Sequence, residues 1–310
     1  MASTYLTRTP SSAGNRKTFT WSAWVKRCEV DATHYMVTQG TDSNNNWTIV
    51  FDGANKLQTW NYVSAFQYNL KTEQVFRDVN AWYHIVVAVD TTQATASDRV
   101  KLYVNGEQIT SFVSGQETYP SQNADMYVNS TSGTFRIGFY TSGSSYFNGY
   151  MSHVHFIDGT AYTPSAFGET DSTTGEWKIK TSPSVTYGTN GWFMFKDDNS
   201  LNDDSGQGNN FTLGGGTLTK SEDNPSNVFA TLNPLNAVYI SFLQGNNTIS
   251  GGNNGTDYSY IGSTLGASSG KFYWEVKVAD LAEIDQVGVA LASSGFSNIA
   301  NSGGLQATTF

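Results

Sequence analysis

The residues whose types and spacing could do chemistry fall into a few groups. Glu283 and Asp285 alternate along the chain, which puts both carboxylates on one side of a strand, as general acid–base or nucleophilic work on a glycosidic bond requires. The next residue on that side is Val287, and two carboxylates alone read as a solvated loop pair. His153 and His155 stand at i and i+2, so both imidazoles project from one sheet face. They suit a metal, or simply two hydrogen-bonded sheet histidines, because no Cys or third His lies close by. His84, inside an apolar run, reads as a structural residue at the core edge. Asp197, Asp198, Asp203 and Asp204 crowd together with Asn199 and Asn202, the hard oxygen donors that calcium takes. Ser200-Leu201 interrupts them, the spacing is not that of an EF-hand, and the same residues serve polar turns. Asp42, Asn44, Asn45 and Asn46, before Trp47, offer similar oxygens to calcium or a sugar. No Ser-His-Asp, phosphate-loop or dinucleotide motif occurs, so no reaction and no organic cofactor are expected; calcium is the one cofactor left open.

Sugar recognition sets an aromatic face against the apolar side of a pyranose and polar groups against its hydroxyls. Trp60 and Tyr62 alternate with Leu57 and therefore face away from the core, next to Asn61, while Tyr146 sits in a glycine–serine turn. These four are the candidate carbohydrate-binding residues, against the competing reading that they pack internally or at a subunit interface. Cys28 stands alone, which rules out an intrachain disulfide and fits a small buried hydrophobe better than a reactive thiol.

The elements that must position these groups are strands. From Phe19 to Arg27 the chain alternates, with Phe19, Trp21, Ala23 and Val25 on one face and Thr20, Ser22, Trp24 and Lys26 on the other, the pattern of a half-buried strand. Residues 47–51, 56–62, 134–140 and 150–157 repeat it between turn clusters. Residues 82–89 are apolar on both faces and predict a central strand, and 99–104 lead into Asn105-Gly106, a type I′ hairpin turn. Thr163-Pro164-Ser165-Ala166-Phe167 allows one helical turn, 191–196 a strand, and 160–234 otherwise reads as an extended connection. Alternation returns at 237–242, 271–278 and 286–291. The organisation expected is therefore a β domain at 1–162, an irregular connector at 163–235 and a second β module at 236–310 that the sequence leaves incomplete.

Ala81-Trp82-Tyr83-His84-Ile85-Val86-Val87-Ala88-Val89-Asp90 with Val100-Lys101-Leu102-Tyr103-Val104-Asn105-Gly106 resembles the central hairpin of laminin-G-like, concanavalin A-like lectin domains. Phe19-Thr20-Trp21-Ser22-Ala23-Trp24-Val25-Lys26 resembles that family's early inner strand and Phe147-Asn148-Gly149-Tyr150-Met151-Ser152-His153-Val154 its closing strand. The resemblance implies an all-β, antiparallel jelly-roll sandwich. The segments around Ala166-Phe167-Gly168-Glu169, Tyr187-Gly188-Thr189-Asn190-Gly191-Trp192-Phe193, Asp204-Ser205-Gly206-Gln207-Gly208-Asn209-Asn210 and Asn224-Pro225-Ser226-Asn227 are similar to large virion and tail proteins of marine bacteriophages. Gly270-Lys271-Phe272-Tyr273-Trp274-Glu275-Val276 with Val287-Gly288-Val289-Ala290 resembles the opening of a SPRY domain. Relatives of the lectin fold include retaining glycosidases, whose third carboxylate Val287 replaces here.

Composition narrows the classes. The 310 residues carry a formal charge of −9 with only 17 Lys plus Arg, which argues against a phosphate backbone as partner. The opening residues lack a signal peptide's apolar stretch, and the longest apolar run is too short to span a bilayer, so neither secretion nor membrane insertion is expected. The resemblances to lectin domains and phage virion proteins imply a structural function: a virion component of a tail or fibre, made in the host cytoplasm, that presents a lectin-like domain to a host-surface glycan. Its expected partners are other virion proteins and copies of itself, associated by sheet edges and aromatic patches. The alternatives are a capsid or neck connector with protein contacts only, and a glycan-degrading enzyme.

Overall fold

The computed structural model describes residues 3–143, 145–251 and 260–277 of a chain that divides into units 1–229 and 230–310. The first strands are β1 (Tyr5–Arg8), β2 (Thr18–Arg27), β3 (His34–Asp42), β4 (Asn45–Phe51), β5 (Lys56–Val63) and β6 (Phe66–Val75). There follow β7 (Trp82–Asp90), β8 (Val100–Val104), β9 (Glu107–Gln108), β10 (Phe112–Thr118), β11 (Thr134–Ile137) and β12 (Gly149–Asp158). Four short strands complete the first unit: β13 (Gly168–Thr170), β14 (Trp177–Ile179), β15 (Trp192–Met194) and β16 (Thr212–Gly215). They form an eight-stranded sheet in the order β10-β6-β5-β4-β3-β11-β1-β16 and a six-stranded sheet in the order β15-β12-β2-β7-β8-β9, every pairing antiparallel.

Alternation places the core between the two sheets. Trp21, Ile85, Val87 and Phe156 from the six-stranded sheet meet Trp47, Ile49, Tyr68 and Phe135 from the other, all fully buried. This is the antiparallel sandwich expected. The central strand expected at 82–89 is β7, inside its sheet, and Asn105 (φ 49°) with Gly106 (φ 86°) turns β8 into β9 as a type I′ turn requires. The helical turn at 163–167 is a 3₁₀ turn over Pro164–Ala166.

Two expectations need correction. Residues 163–229 are not a connector outside the sandwich: β15 extends the six-stranded sheet beside β12, β16 closes the eight-stranded sheet beside β1, and all belong to the first unit. Strand β2 is buried on both faces rather than half-buried, because Phe167, Trp177 and Tyr187 from this same segment cover the outer face of the six-stranded sheet. There Phe167 and Tyr187 join Val86, Ile157 and Phe193 in a second apolar cluster.

In the second unit the single strand expected at 237–242 is split by Tyr239 (φ 54°). On its two sides β17 (Leu232–Val238) pairs with β20 (Tyr260–Ser263), and β18 (Ile240–Leu243) pairs with β19 (Thr248–Gly251). Residues 271–277 form no strand among the described residues, where Phe272, Tyr273 and Trp274 are exposed. Residues 287–290 of the SPRY resemblance and the strand expected at 286–291 lie outside the described residues. Among the described residues no helix is long and apolar enough to cross a membrane.

Candidate functional site

On β5, Leu57, Thr59 and Asn61 point into the sandwich and are fully buried, while Gln58, Trp60 and Tyr62 alternate with them on the outer face of the eight-stranded sheet. Register places Trp60 beside Thr48 and Tyr62 beside Asn46 of β4. Asn46, fully buried, is the hub of this face. Its Oδ1 accepts from Trp60 Nε1 at 2.8 Å and Thr48 Oγ1 at 3.0 Å, and its Nδ2 donates to the carbonyls of Asp42 and Ser43 at 3.1 and 2.9 Å. The indole of Trp60 is thereby held by its edge. Tyr35 of β3 meets it edge-on, with centroids 6.4 Å apart, and Tyr140 stacks on Tyr35 at 4.4 Å. Tyr62 packs against Phe66 of β6 at 4.9 Å.

Four of these rings, Trp60, Tyr62, Phe66 and Tyr140, bound a groove of about 290 Å³ that Ser43 and Gln58 also line. Gln58 is oriented by donating to Asn69 Oδ1 at 2.7 Å. No charged side chain lines it. The nearest carboxylate in sequence, Asp42, lies beside Ser43 at the exposed β3–β4 turn and is held below the usual carboxylate range by the amide of Asn44. Fixed aromatic faces with a hydroxyl and an amide at their margins can seat the apolar face of a sugar ring and hydrogen-bond its rim; nothing in the lining can serve as a nucleophile with a matching acid.

The sequence-derived candidates scatter. Trp60 and Tyr62 meet in the groove, but Asn61 lies on the opposite side of β5, where its Oδ1 accepts from the Tyr127 amide at 2.7 Å. Neighbours in a strand face opposite ways, so adjacency to Trp60 could not put Asn61 in the same site. Tyr146 belongs to another aromatic group, with Phe139 at 4.7 Å and Tyr5 at 6.0 Å. Tyr35, Phe66 and Tyr140 are not among the candidates, nor is Gln58, which shares the outward face of β5 with Trp60 and could have been read from the same alternation. The other three stand on neighbouring strands or in the loop after β11, and no signal within β5 points to them.

Asp197, Asp198, Asp203 and Asp204 do not converge on one point, and among the described residues no three metal-capable side chains gather. Asp203 accepts from the amides of Phe193, Ser205 and Asn209 and from Ser205 Oγ, all at 2.8–2.9 Å, so its oxygens are taken up in holding the loop. Asp198 accepts from the Ser200 amide as a turn residue. Asp42 does likewise for Asn44, and the Asn46 amide group faces the backbone carbonyls.

The histidines are structural. Burial pushes His84 down to about 3. Its Nδ1 lies 3.0 Å from Trp177 Nε1, a group that only donates, so the ring proton sits on Nε2 and is given to Ser22 Oγ at 2.9 Å. His155, pushed well down by burial, bonds to the Tyr187 hydroxyl at 2.9 Å, and His153, lowered to about 4 by burial, bonds to Ser152 Oγ at 2.8 Å. Both pack on Phe193, with centroids 4.0 and 5.4 Å away, and among the described residues no third metal-capable side chain joins them. Cys28 is 3% exposed, and burial pushes its thiol up to about 12. Glu283 and Asp285 lie outside the described residues.

An antiparallel two-sheet sandwich with a ring-lined groove on one outer face is the architecture of a lectin-like domain. Residues 2–166 match the family model described as the concanavalin A-like lectin/glucanases superfamily, more than half of the chain, and the chain belongs to that superfamily. Similar solved structures include the native heptameric SAP-like pentraxin of Limulus polyphemus (14% identity over 52% of this chain and 72% of that one, TM-score 0.38). Domain 4 of the extracellular arabinanase AbnA from Geobacillus stearothermophilus, in complex with arabinotriose, is 19% identical over 49% of this chain and 65% of that one, with a TM-score of 0.36. The CBM40 of the Ruminococcus gnavus IT-sialidase, bound to α2,3 sialyllactose, is 14% identical over 49% and 89%, with a TM-score of 0.34. No curated protein matches the chain.

Proposed function

We propose that the chain is a non-catalytic glycan-binding component of a bacteriophage particle, of its tail or a fibre, and that the groove at Trp60 and Tyr62 receives a sugar of the host surface. The observation that carries this reading is the Trp60 indole, turned outward on the sheet and fixed by the buried Asn46, with Tyr62 and Tyr140 framing the same groove. Membership of a superfamily that includes lectins supports binding. The similarity of the segments around residues 166–169, 187–193, 204–210 and 224–227 to virion and tail proteins supports the particle. Its partners are then other virion proteins and further copies of the chain, and many copies on one particle turn a weak site into effective attachment.

The test is glycan-array binding by the purified chain and by the assembled particle. Wild type binds a host envelope glycan, and Trp60→Ala and Tyr62→Ala each lose at least about tenfold in affinity, or about 1.4 kcal/mol. Absence of binding by every form, or binding indifferent to both substitutions, overturns the glycan reading. Capture of capsid or neck proteins in place of glycans establishes the connector role. Hydrolysis of a host polysaccharide that is lost in Glu283→Gln establishes an enzyme.

A further inference from the structure

Beside the groove on the same sheet face stands a second group of aromatic rings, and we infer that the two groups together take a neutral glycan chain laid obliquely across the strands, not a single terminal sugar and not an acidic one. The inference rests on the glycan reading above. Thr7, Arg136, Thr38, Thr48 and Trp60 occupy one register row across β1, β11, β3, β4 and β5. Leu6 points into the core, so Tyr5, two residues from Thr7, shares the outer face with Trp60.

On that side Tyr5 packs on Phe139 at 4.6 Å and Phe139 on Tyr146 at 4.7 Å, and none of the three belongs to either apolar core cluster. Tyr140, adjacent to Phe139 in the chain, stacks on Tyr35, which meets Trp60. The two groups of rings together extend from Phe66 on β6 to Tyr5 on β1, five strand spacings or about 24 Å. One sugar ring occupies only a fraction of that length, whereas several in line span it.

Charge excludes the acidic glycans. The groove lining holds no cation, its neighbour at Ser43 is the carboxylate Asp42, and the chain carries −9 overall. The cations on this face are already engaged: Arg136 turns Nη1 to the carbonyls of Gly40 and Thr134 at 3.1 and 3.2 Å, Lys56 pairs with Glu73 at 2.6 Å, and Lys71, the register partner of Gln58, pairs with Asp52. An anionic sugar here would lose water without gaining a cation in the groove lining.

The test is calorimetry with arabino-, malto- and cello-oligosaccharide ladders, and with lactose against α2,3-sialyllactose. Affinity for one neutral ladder rises at least about tenfold from the single sugar to the pentasaccharide, and sialyllactose binds no better than lactose. Tyr5→Ala and Tyr146→Ala abolish the rise, with melting curves showing that both variants fold. Affinity independent of length but lost in Trp60→Ala overturns the extended site and leaves the glycan reading standing, as does a preference for sialyllactose. Failure of every ladder, of lactose and of sialyllactose to bind overturns both readings.

Discussion

At the scale of single residues, burial decides which reactive groups are quiet. The Cys28 thiol, 3% exposed and raised to about 12, holds almost no thiolate near neutrality. Native protein should react with a thiol reagent only as fast as it opens, whereas unfolded protein should react at once, and non-reducing gels should show no dimer band. Asn46 carries the opposite burden, since four bonds from one amide join Trp60 and Thr48 to the β3–β4 turn. Asn46→Ala should cost about 1–3 kcal/mol in urea unfolding and weaken glycan binding although the residue itself is covered. Trp60 and Tyr62 were legible because alternation against Leu57 turns them outward. Asn46 was legible as an oxygen donor to calcium or a sugar, or as a turn residue, but not as the hub that holds Trp60, because its partners Trp60 and Thr48 become neighbours through pairing of β4 with β5, and a sequence read along one strand carries no record of the register across to the next.

At the scale of elements, a loop or strand is fixed by where its polar groups end. Asp203 accepts four bonds within the turn after β15, whereas Asp197 is exposed at its rim. Asp203→Ala should destabilise by about 2 kcal/mol or more and Asp197→Ala by no more than about 0.5 kcal/mol, as compared by denaturant midpoints. Calcium or a chelator should leave the melting temperature unchanged, because both Asp203 oxygens are already engaged by the loop they hold. Strands β4, β5, β7 and β12 were readable because each alternates or runs apolar over its whole length. The cover on the outer face of the six-stranded sheet was not, since Phe167, Trp177 and Tyr187 are single rings ten residues apart in a segment of short elements and turns, with no period to reveal that they share a surface.

At the scale of the molecule, the four histidines set an acid limit. His34 and His153 are lowered to about 4, His84 to about 3 and His155 well down, in each case first by burial. Below about pH 6.5 the unfolded chain binds protons that the folded chain refuses, so stability falls as pH falls through the window from 6.5 toward 3–4. At pH 5 the loss is about 2 kcal/mol for a group such as His84, and the urea midpoint should drop steadily between pH 7 and 4.5. The first unit is also indivisible at residue 162. A chain cut there loses β15, β16 and the rings that cover β2, and should not melt cooperatively, whereas residues 1–229 should. Thermal unfolding followed by circular dichroism separates the two outcomes.

Strand β1 is closed on one edge by β11 and on the other by β16, whose Thr212 follows Thr7 by 205 positions. A ribosome adding about 5–20 residues each second needs roughly 10–40 s to cross that interval. For so long this strand keeps an open row of amide and carbonyl groups, the template on which foreign strands pair. Anything that slows elongation between residues 137 and 212 lengthens its exposure to the other nascent chains on the same message.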